Sequence, residues 1–207
     1  TAACARSSPH GRATRRTTTL AASKRLVCRG SSVQATSGRD VTLAIALLTI
    51  SDTRTLAEDS SGEHLKNSLE TAGHQLRERA LCPDDRYRIR AELSRWIADP
   101  SIDVVITSGG TGLTGRDGTP EAVEPLLDKT IEGFGELFRV LSFETIGTST
   151  LQSRCLAGVA NGTFIFVLPG SLDAVSTAWD RLIRAQLDAT TLPCNLAQLR
   201  SRLKERA

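Results

Sequence analysis

Asp103-Val104-Val105-Ile106-Thr107-Ser108-Gly109-Gly110-Thr111-Gly112 passes without a break from an apolar, β-branched segment into a glycine loop. Asp103 to Thr107 reads as a buried strand. The glycines that follow let the backbone approach a ligand closely and turn its N–H groups inward, the usual way to cradle an anion. Two nucleotide signatures nearly fit this loop and fail. Gly110-x-Gly112-x-x-Gly115 has dinucleotide spacing but follows the third strand, and Arg116-Asp117-Gly118-Thr119-Pro120 delays the helix that should begin there. Gly110-x-x-x-x-Gly115-Arg116-Asp117 has P-loop spacing without its Lys and Ser/Thr, so the magnesium-binding hydroxyl is missing. What remains is an anion cradle, a carboxylate at Asp117, and a helix opening at Thr119-Pro120-Glu121 with Thr119 as cap. A carboxylate beside a phosphate site is the arrangement expected for Mg²⁺ bridging protein and nucleotide. The plainer reading is a capped surface loop.

Working outward, Val41 to Ile50 is an apolar run of strand length closed by Ser51-Asp52-Thr53. Leu65, Leu69 and Ala72 recur at helical spacing after the capping candidates Ser60 and Ser61, and Gly73 stops that helix. A second strand spans Gln75 to Leu81, closed by Cys82-Pro83-Asp84-Asp85. Ile89, Leu93, Trp96 and Ile97 then mark a second helix, ended by Asp99-Pro100. Residues 41 to 108 are therefore β-α-β-α-β, which implies parallel strands in a three-layer αβα sandwich. Further on, Ile131, Phe134, Leu137, Phe138 and Leu141 mark another helix. Two strands around Asn161-Gly162 form a hairpin with a primed turn. Pro169-Gly170-Ser171 precedes a last amphipathic helix carrying Val175, Ala178, Trp179, Leu182 and Ile183. Beyond Leu187 the chain reads as irregular, and residues 201 to 207 as a polar basic tail. The expected fold is α/β, a mostly parallel sheet plus a β-hairpin.

Ligands of open α/β sheets bind at the carboxyl ends of the strands. The loops after the strands are thus the ones to inspect: Ser51 to Gly62, Pro83 to Asp85, Ser108 to Thr119, and Pro169-Gly170-Ser171. Asp84 or Asp85 offers a second metal-binding or acid/base carboxylate, or else a solvated turn. Ser51-Asp52-Thr53 and Asp59-Ser60-Ser61-Gly62 suit phosphate but also ordinary capping. Five scattered cysteines (Cys4, Cys28, Cys82, Cys155, Cys194) favour reduced thiols. His10, His64 and His74 lack zinc spacing. Asn161-Gly162-Thr163 matches a glycosylation sequon by chance inside a tight hairpin.

The 207 residues carry a net charge of +3, unevenly spread. Residues 1 to 40 hold eight bases and one acid, whereas residues 41 to 207 hold 18 bases and 22 acids. The mildly acidic body argues against gripping nucleic acid through its phosphates. The longest strongly apolar stretch falls far short of the roughly 20 residues of a membrane span. Residues 1 to 40 read as a disordered basic extension. Residues 1 to 39 share the composition of an organelle transit peptide, and an extension without a role fits equally well. The expected location is cytoplasmic, or an organelle if that segment directs import.

The combination Ser51-Asp52-Thr53, Asp59-x-Ser61-Gly62, Pro83-Asp84, Thr107 to Gly112, Arg116-Asp117-x-Thr119-Pro120-Glu121-Ala122, Gly133-Phe134-Gly135-Glu136 and Leu168-Pro169-Gly170 resembles the molybdenum cofactor biosynthesis family. That family includes MoaB, MogA and the related domains of gephyrin and the plant Cnx proteins. Phe138 to Glu144 and Ile146 to Arg154 are similar to the MoaB branch in particular. The resemblance covers residues 41 to about 200. It implies a MogA/MoaB-like molybdopterin-binding domain and an adenylyltransferase that uses ATP, molybdopterin and Mg²⁺. Carried onto this chain, it makes Asp84 and Asp117 the catalytic and metal-holding aspartates. The Ser108-Gly109-Gly110-Thr111-Gly112 loop becomes the pterin and nucleotide phosphate site. Ser51, Asp52, Thr53, Thr119, Pro169, Gly170 and Ser171 complete the substrate contacts. It further implies a homo-oligomer, trimer or hexamer, with apolar residues around Phe134, Phe138, Leu141 and Phe143 at the contact. The alternative is a non-catalytic molybdopterin-binding protein or scaffold.

Overall fold

In the computed structural model, which describes residues 41 to 205, the first apolar run forms β1 (Ala44–Ile50). The readings of residues 1 to 40, with Cys4, Cys28 and His10, lie outside the described residues, as do residues 206 and 207 of the tail. Along β1 the side chains alternate between two layers. Ile45 and Leu47 join one core cluster and Ala46, Leu48 and Ile50 the other, all with at most 4% exposure. A strand buried on both faces needs helices on both faces.

The helix α1 (Ser60–Thr71) is capped by Asp59 and not by the expected Ser60 or Ser61; Gly62 N donates to Asp59 Oδ1 at 2.9 Å. Gly73, at φ +84°, ends it. There follow β2 (Gln75–Cys82), α2 (Arg86–Ala98), β3 (Val104–Ser108) and the short α3 (Thr119–Val123). Asp85 caps α2, its Oδ1 accepting from Tyr87 N and Arg88 N. A two-residue strand β4 (Lys129–Thr130) precedes α4 (Glu132–Ile146) and a 3-10 stretch, Gly147–Gln152. The hairpin β5 (Leu156–Ala160) and β6 (Thr163–Leu168) turns at Asn161 (φ 47°) and Gly162 (φ 82°), the positive angles a primed turn needs.

The sheet order is β2-β1-β3-β6-β5-β4. β1, β2, β3 and β6 are parallel; β5 is antiparallel to β6, and β4 to β5. The chain is thus an αβα sandwich with a mostly parallel sheet, as the sequence implied. Phe134, Phe138, Phe164, Phe166, Val175 and Trp179 fill one layer; Ile89, Leu93, Trp96, Val105, Ile165 and Val167 fill the other.

The last helix differs from a plain amphipathic one. α5 (Leu172–Ala178) passes through a π-helical turn, Trp179–Ile183, into α6 (Arg184–Leu187). Beyond Leu187 the chain is not irregular throughout. α7 (Leu196–Leu199) and a 3-10 turn, Arg200–Arg202, follow, and Leu203 packs against the core. Buried Asn195 organises this end, donating to Thr191 O at 2.9 Å and capping α7 at Gln198 N. Arg200 pairs with Asp103 at 2.5 Å.

Candidate functional site

The strand order reverses direction between β1 and β3, which makes their carboxyl ends the natural crevice of the sheet. A cleft of about 390 Å³ lies there. Its walls come from the loops after β1 (Ile50, Ser51, Thr53, Arg54), after β3 (Gly109 to Gly112, Asp117) and after β6 (Pro169 to Ser171), with Gln152 and Ser153 closing one side. A larger cavity of about 730 Å³ sits between the end of α1 and the α5–α6 segment, beside Val41, His74 and Asp188. It has no glycine loop and faces none of the strand-end loops, so the smaller cleft is the candidate site.

Close backbone approach builds the cleft. Gly109 (φ +110°) donates its N–H to Leu168 O at 3.0 Å, and a side chain there would run into Ile50 O. At Gly110 (φ +64°) a side chain would strike Thr119 Oγ1 and Asp84 Oδ2. Only glycine lets three loops meet this tightly. Ser51 Oγ accepts from Thr53 N and Arg54 N, which folds the start of the β1 loop into a turn. Arg54 then reaches across to Gly170 O at 3.2 Å. Ser171 caps α5, its Oγ accepting from Ala174 N.

Three carboxylates surround the glycine loop. Asp117 Oδ2 accepts from Thr114 N at 2.8 Å and Thr114 Oγ1 at 2.6 Å. The Thr114 hydroxyl, then the amides of Thr114 and Gly112 and the charge of Arg154, hold its carboxyl below the usual carboxylate range against some burial. Asp84 Oδ1 accepts from Gly118 N at 3.1 Å. Burial pushes the Asp84 carboxyl above its ordinary value; the Gly118 amide opposes this, and the nearby Asp117 and Asp52 charges reinforce it. Two carboxylates beside the glycine loop, from two different connections, are thus biased in opposite directions, a common mark of functional sites. The third, Asp52, accepts from Asp84 N at 3.1 Å and from the Arg116 guanidinium.

The sequence-derived residues are brought together with a division of labour. Ser51, Thr53, Gly109, Gly110, Thr111, Gly112, Asp117, Pro169, Gly170 and Ser171 line the cleft. Asp52, Asp84, Ser108 and Thr119 do not. Ser108 and Thr119 are buried, and Asp52 and Asp84 support the loop from beside it. Thr119 is also not the cap of α3, because Gly118 holds that position; its hydroxyl is buried without a partner. Arg54, Gln152 and Ser153 are lining residues that the loop-after-strand rule missed for the last two, since they come from the 3-10 stretch that follows α4. Arg54 stood within an inspected loop, but its charge carried no distinguishing pattern.

The donor set bears on the Mg²⁺ that the resemblance implies. Among the described residues no three His, Cys, Asp or Glu side chains gather around one point. These residues therefore offer no complete cage. Two hard carboxylates beside a glycine loop, with the orphaned Thr119 hydroxyl near Asp84, do fit a cation that takes its remaining ligands from phosphates and water.

An open αβα sheet with a glycine-walled cleft at its switch point, with Arg54 and Asp117 in the wall, places the chain in the doubly wound α/β class. Residues 46 to 189 match the family model described as a probable molybdopterin binding domain. Molybdenum cofactor biosynthesis protein B of Escherichia coli K12 is 55% identical over 151 residues, covering 73% of this chain and 89% of that protein. Its namesake in Staphylococcus carnosus is 45% identical over 152 residues, 72% of this chain and 89% of that one. Among solved structures, the tungsten cofactor synthesizing protein MoaB of Pyrococcus furiosus is similar at a TM-score of 0.62 and 35% identity, over 68% of this chain and 90% of that chain. The chain belongs to the molybdenum cofactor biosynthesis family, among the MoaB and MogA proteins.

Proposed function

We propose that this protein binds molybdopterin in the strand-end cleft and transfers to it the adenylyl group of ATP. The observation that supports this most is the placement of Asp84 against Gly110 and of Asp117 against Gly112 of one glycine loop. In the reaction, an oxygen of the pterin's terminal phosphate forms a bond to the α-phosphorus of ATP. The bond from that phosphorus to the bridging oxygen breaks, and pyrophosphate leaves. Two polyanions must be held in line, so the main task of the protein is neutralising and orienting charge. The glycine wall lets phosphate oxygens reach the backbone, and Arg54 adds a cation at the rim. Asp84 and Asp117 would hold Mg²⁺, which supplies electrostatic stabilisation to the phosphates when bound.

Asp117→Asn tests the assignment. It should fold with an unchanged far-UV spectrum and release no pyrophosphate from ATP, Mg²⁺ and molybdopterin; adenylyl transfer at the wild-type rate in that variant refutes it. A second reading, a pterin-binding protein without turnover, draws support from one fact. Both carboxylates are already occupied in holding the loop, Asp117 by Thr114 and Asp84 by Gly118. Calorimetric pterin binding without pyrophosphate release by the wild-type chain selects that reading.

The assembly is proposed as a homo-oligomer, trimer or hexamer. Phe134 and Phe138 of α4 face the core, while Leu137, Val140, Phe143 and Ile146 stand at least half exposed. A helix apolar on both sides has a second face to bury. No helix among the described residues is long and apolar enough to cross a membrane. Cys82, Cys155 and Cys194 are free thiols, in keeping with a reducing, cytoplasmic location.

A further inference from the structure

Arg154 stands just before β5 and is not part of the cleft wall, yet its side chain gathers the carbonyls of the glycine loop. Its Nε donates to Gly112 O at 2.8 Å and to Thr111 O at 3.4 Å, and its Nη2 donates to Asp117 O at 2.8 Å. Its own backbone N–H adds a bond to Thr111 O at 3.3 Å. The remaining Nη1 is paired with Glu121, which anchors the guanidinium to α3.

A trans peptide group points its C=O and N–H in opposite directions. The peptide joining Asp117 and Gly118 gives its carbonyl to Arg154 and its N–H to Asp84 Oδ1. The peptide joining Thr111 and Gly112 gives its carbonyl to Arg154, and its N–H, on Gly112, is among the amides that hydrogen-bond the Asp117 carboxylate. One cation therefore holds two peptide groups by their carbonyls, and the N–H of each bonds one of the two carboxylates.

We propose that Arg154 is the positioning residue that aims both Asp84 and Asp117, acting through these two peptide groups and touching neither carboxylate. The role rests on the adenylyl-transfer reading for its consequence but not for its geometry. Other cations do not duplicate it: Arg90 holds Glu121 O and Ala122 O of α3, and Arg116 is taken by Asp52. Lysine keeps the charge but cannot reproduce a planar fork reaching several acceptors.

The test compares Arg154→Lys and Glu121→Gln with the wild-type chain. In the ligand-free Lys variant, amide hydrogen exchange at Gly112 and Gly118 should quicken by about tenfold or more, with Val105 and Ile165 in the sheet unchanged. In turnover, kcat should fall by about 100-fold, the usual effect of misplacing a reacting group by about 1 Å, with KM within about threefold. Glu121→Gln, which spares the fork to the carbonyls, should exchange and turn over as the wild type does. The proposal is overturned if the two glycine amides of the Lys variant exchange at the wild-type rate. It is equally overturned if Glu121→Gln reproduces the Lys variant, because Arg154 would then act through α3. A wild-type chain that releases no pyrophosphate would sink the enzymatic reading and leave the exchange result to decide the role of Arg154.

Discussion

Asp52 and Arg116, 64 residues apart in sequence, form a two-pronged pair: Nε reaches Oδ2 at 3.0 Å and Nη2 reaches Oδ1 at 2.7 Å. The pair ties the loop after β1 to the loop after β3, and Asp52 Oδ1 also accepts from Asp84 N. Both side chains are substantially exposed, so solvent screens the attraction and global stability gains little from it. Asp52→Asn should leave Tm unchanged while loosening the mouth of the cleft. The expected result is a KM for ATP raised several-fold with kcat nearly intact, read from steady-state pyrophosphate release. A Tm drop of many degrees would show that the pair is structural.

Asp59 should matter for folding instead. It accepts from Thr49 Oγ1 at 2.6 Å, Gly62 N at 2.9 Å and Arg79 Nη2 at 3.1 Å, and its side chain is fully buried. Burial alone would push its carboxyl up; the Thr49 hydroxyl, the Gly62 amide and Arg79 together outweigh that and hold it low. Asp59→Ala removes the cap at Gly62 N and the acceptor of the buried Thr49 hydroxyl, and leaves Arg79 to its pair with Glu63. Loss of a cap together with a buried acceptor costs about 2 kcal/mol or more, measurable as a lower urea midpoint.

The glycine loop, the central strands and the hairpin were legible because their signals are local: an apolar run, a turn residue, a cap. The cap of α1 was misplaced by one residue, since Asp59, Ser60 and Ser61 are all good caps and only the fold shows which one meets Gly62 N. β4 has two exposed residues and no period to read. Trp179–Ile183 hides its π turn because one extra residue barely disturbs an apolar stripe. Leu137 marked the helix by its spacing together with Phe134 and Phe138, but it is 55% exposed where they are buried, because the buried stripe of α4 is narrower than its apolar one. Arg154 was visible within a motif, but its contacts lie 33 to 43 residues away along the chain and leave no local trace.

His74 makes stability pH-dependent. It is buried, packs edge-on to Trp179, and takes the Leu43 N–H at Nδ1. Burial lowers its pKa below 6.5, with the Asp188 charge opposing. In the window between that lowered value and 6.5 the unfolded chain binds the proton and the folded chain does not, so stability falls as pH drops through it. Tm measured from pH 7.5 to 5 should decline, and His74→Gln should decline less steeply over the same range. Parallel curves would remove His74 as the cause.

The exposed side of α4 predicts the assembly behaviour. Val140→Glu with Phe143→Glu should shift the mass found by sedimentation equilibrium to that of a single chain of 22.2 kDa. Core packing by Phe134 and Phe138 is untouched, so the far-UV spectrum should persist. An unchanged oligomer would place the contact elsewhere.

The two rims of the sheet have a bearing on handling the protein at high concentration. An open row of strand amides invites another chain to add itself edge to edge and seed fibrils, and charged side chains at a rim discourage this. β2 forms one rim and carries exposed Arg77 with Glu78 and Arg79; β4 forms the other, only two residues long and bearing exposed Lys129. Concentrated solutions should therefore cloud, when they do, through greasy helix-to-helix sticking that dilution reverses, and not through amyloid growth.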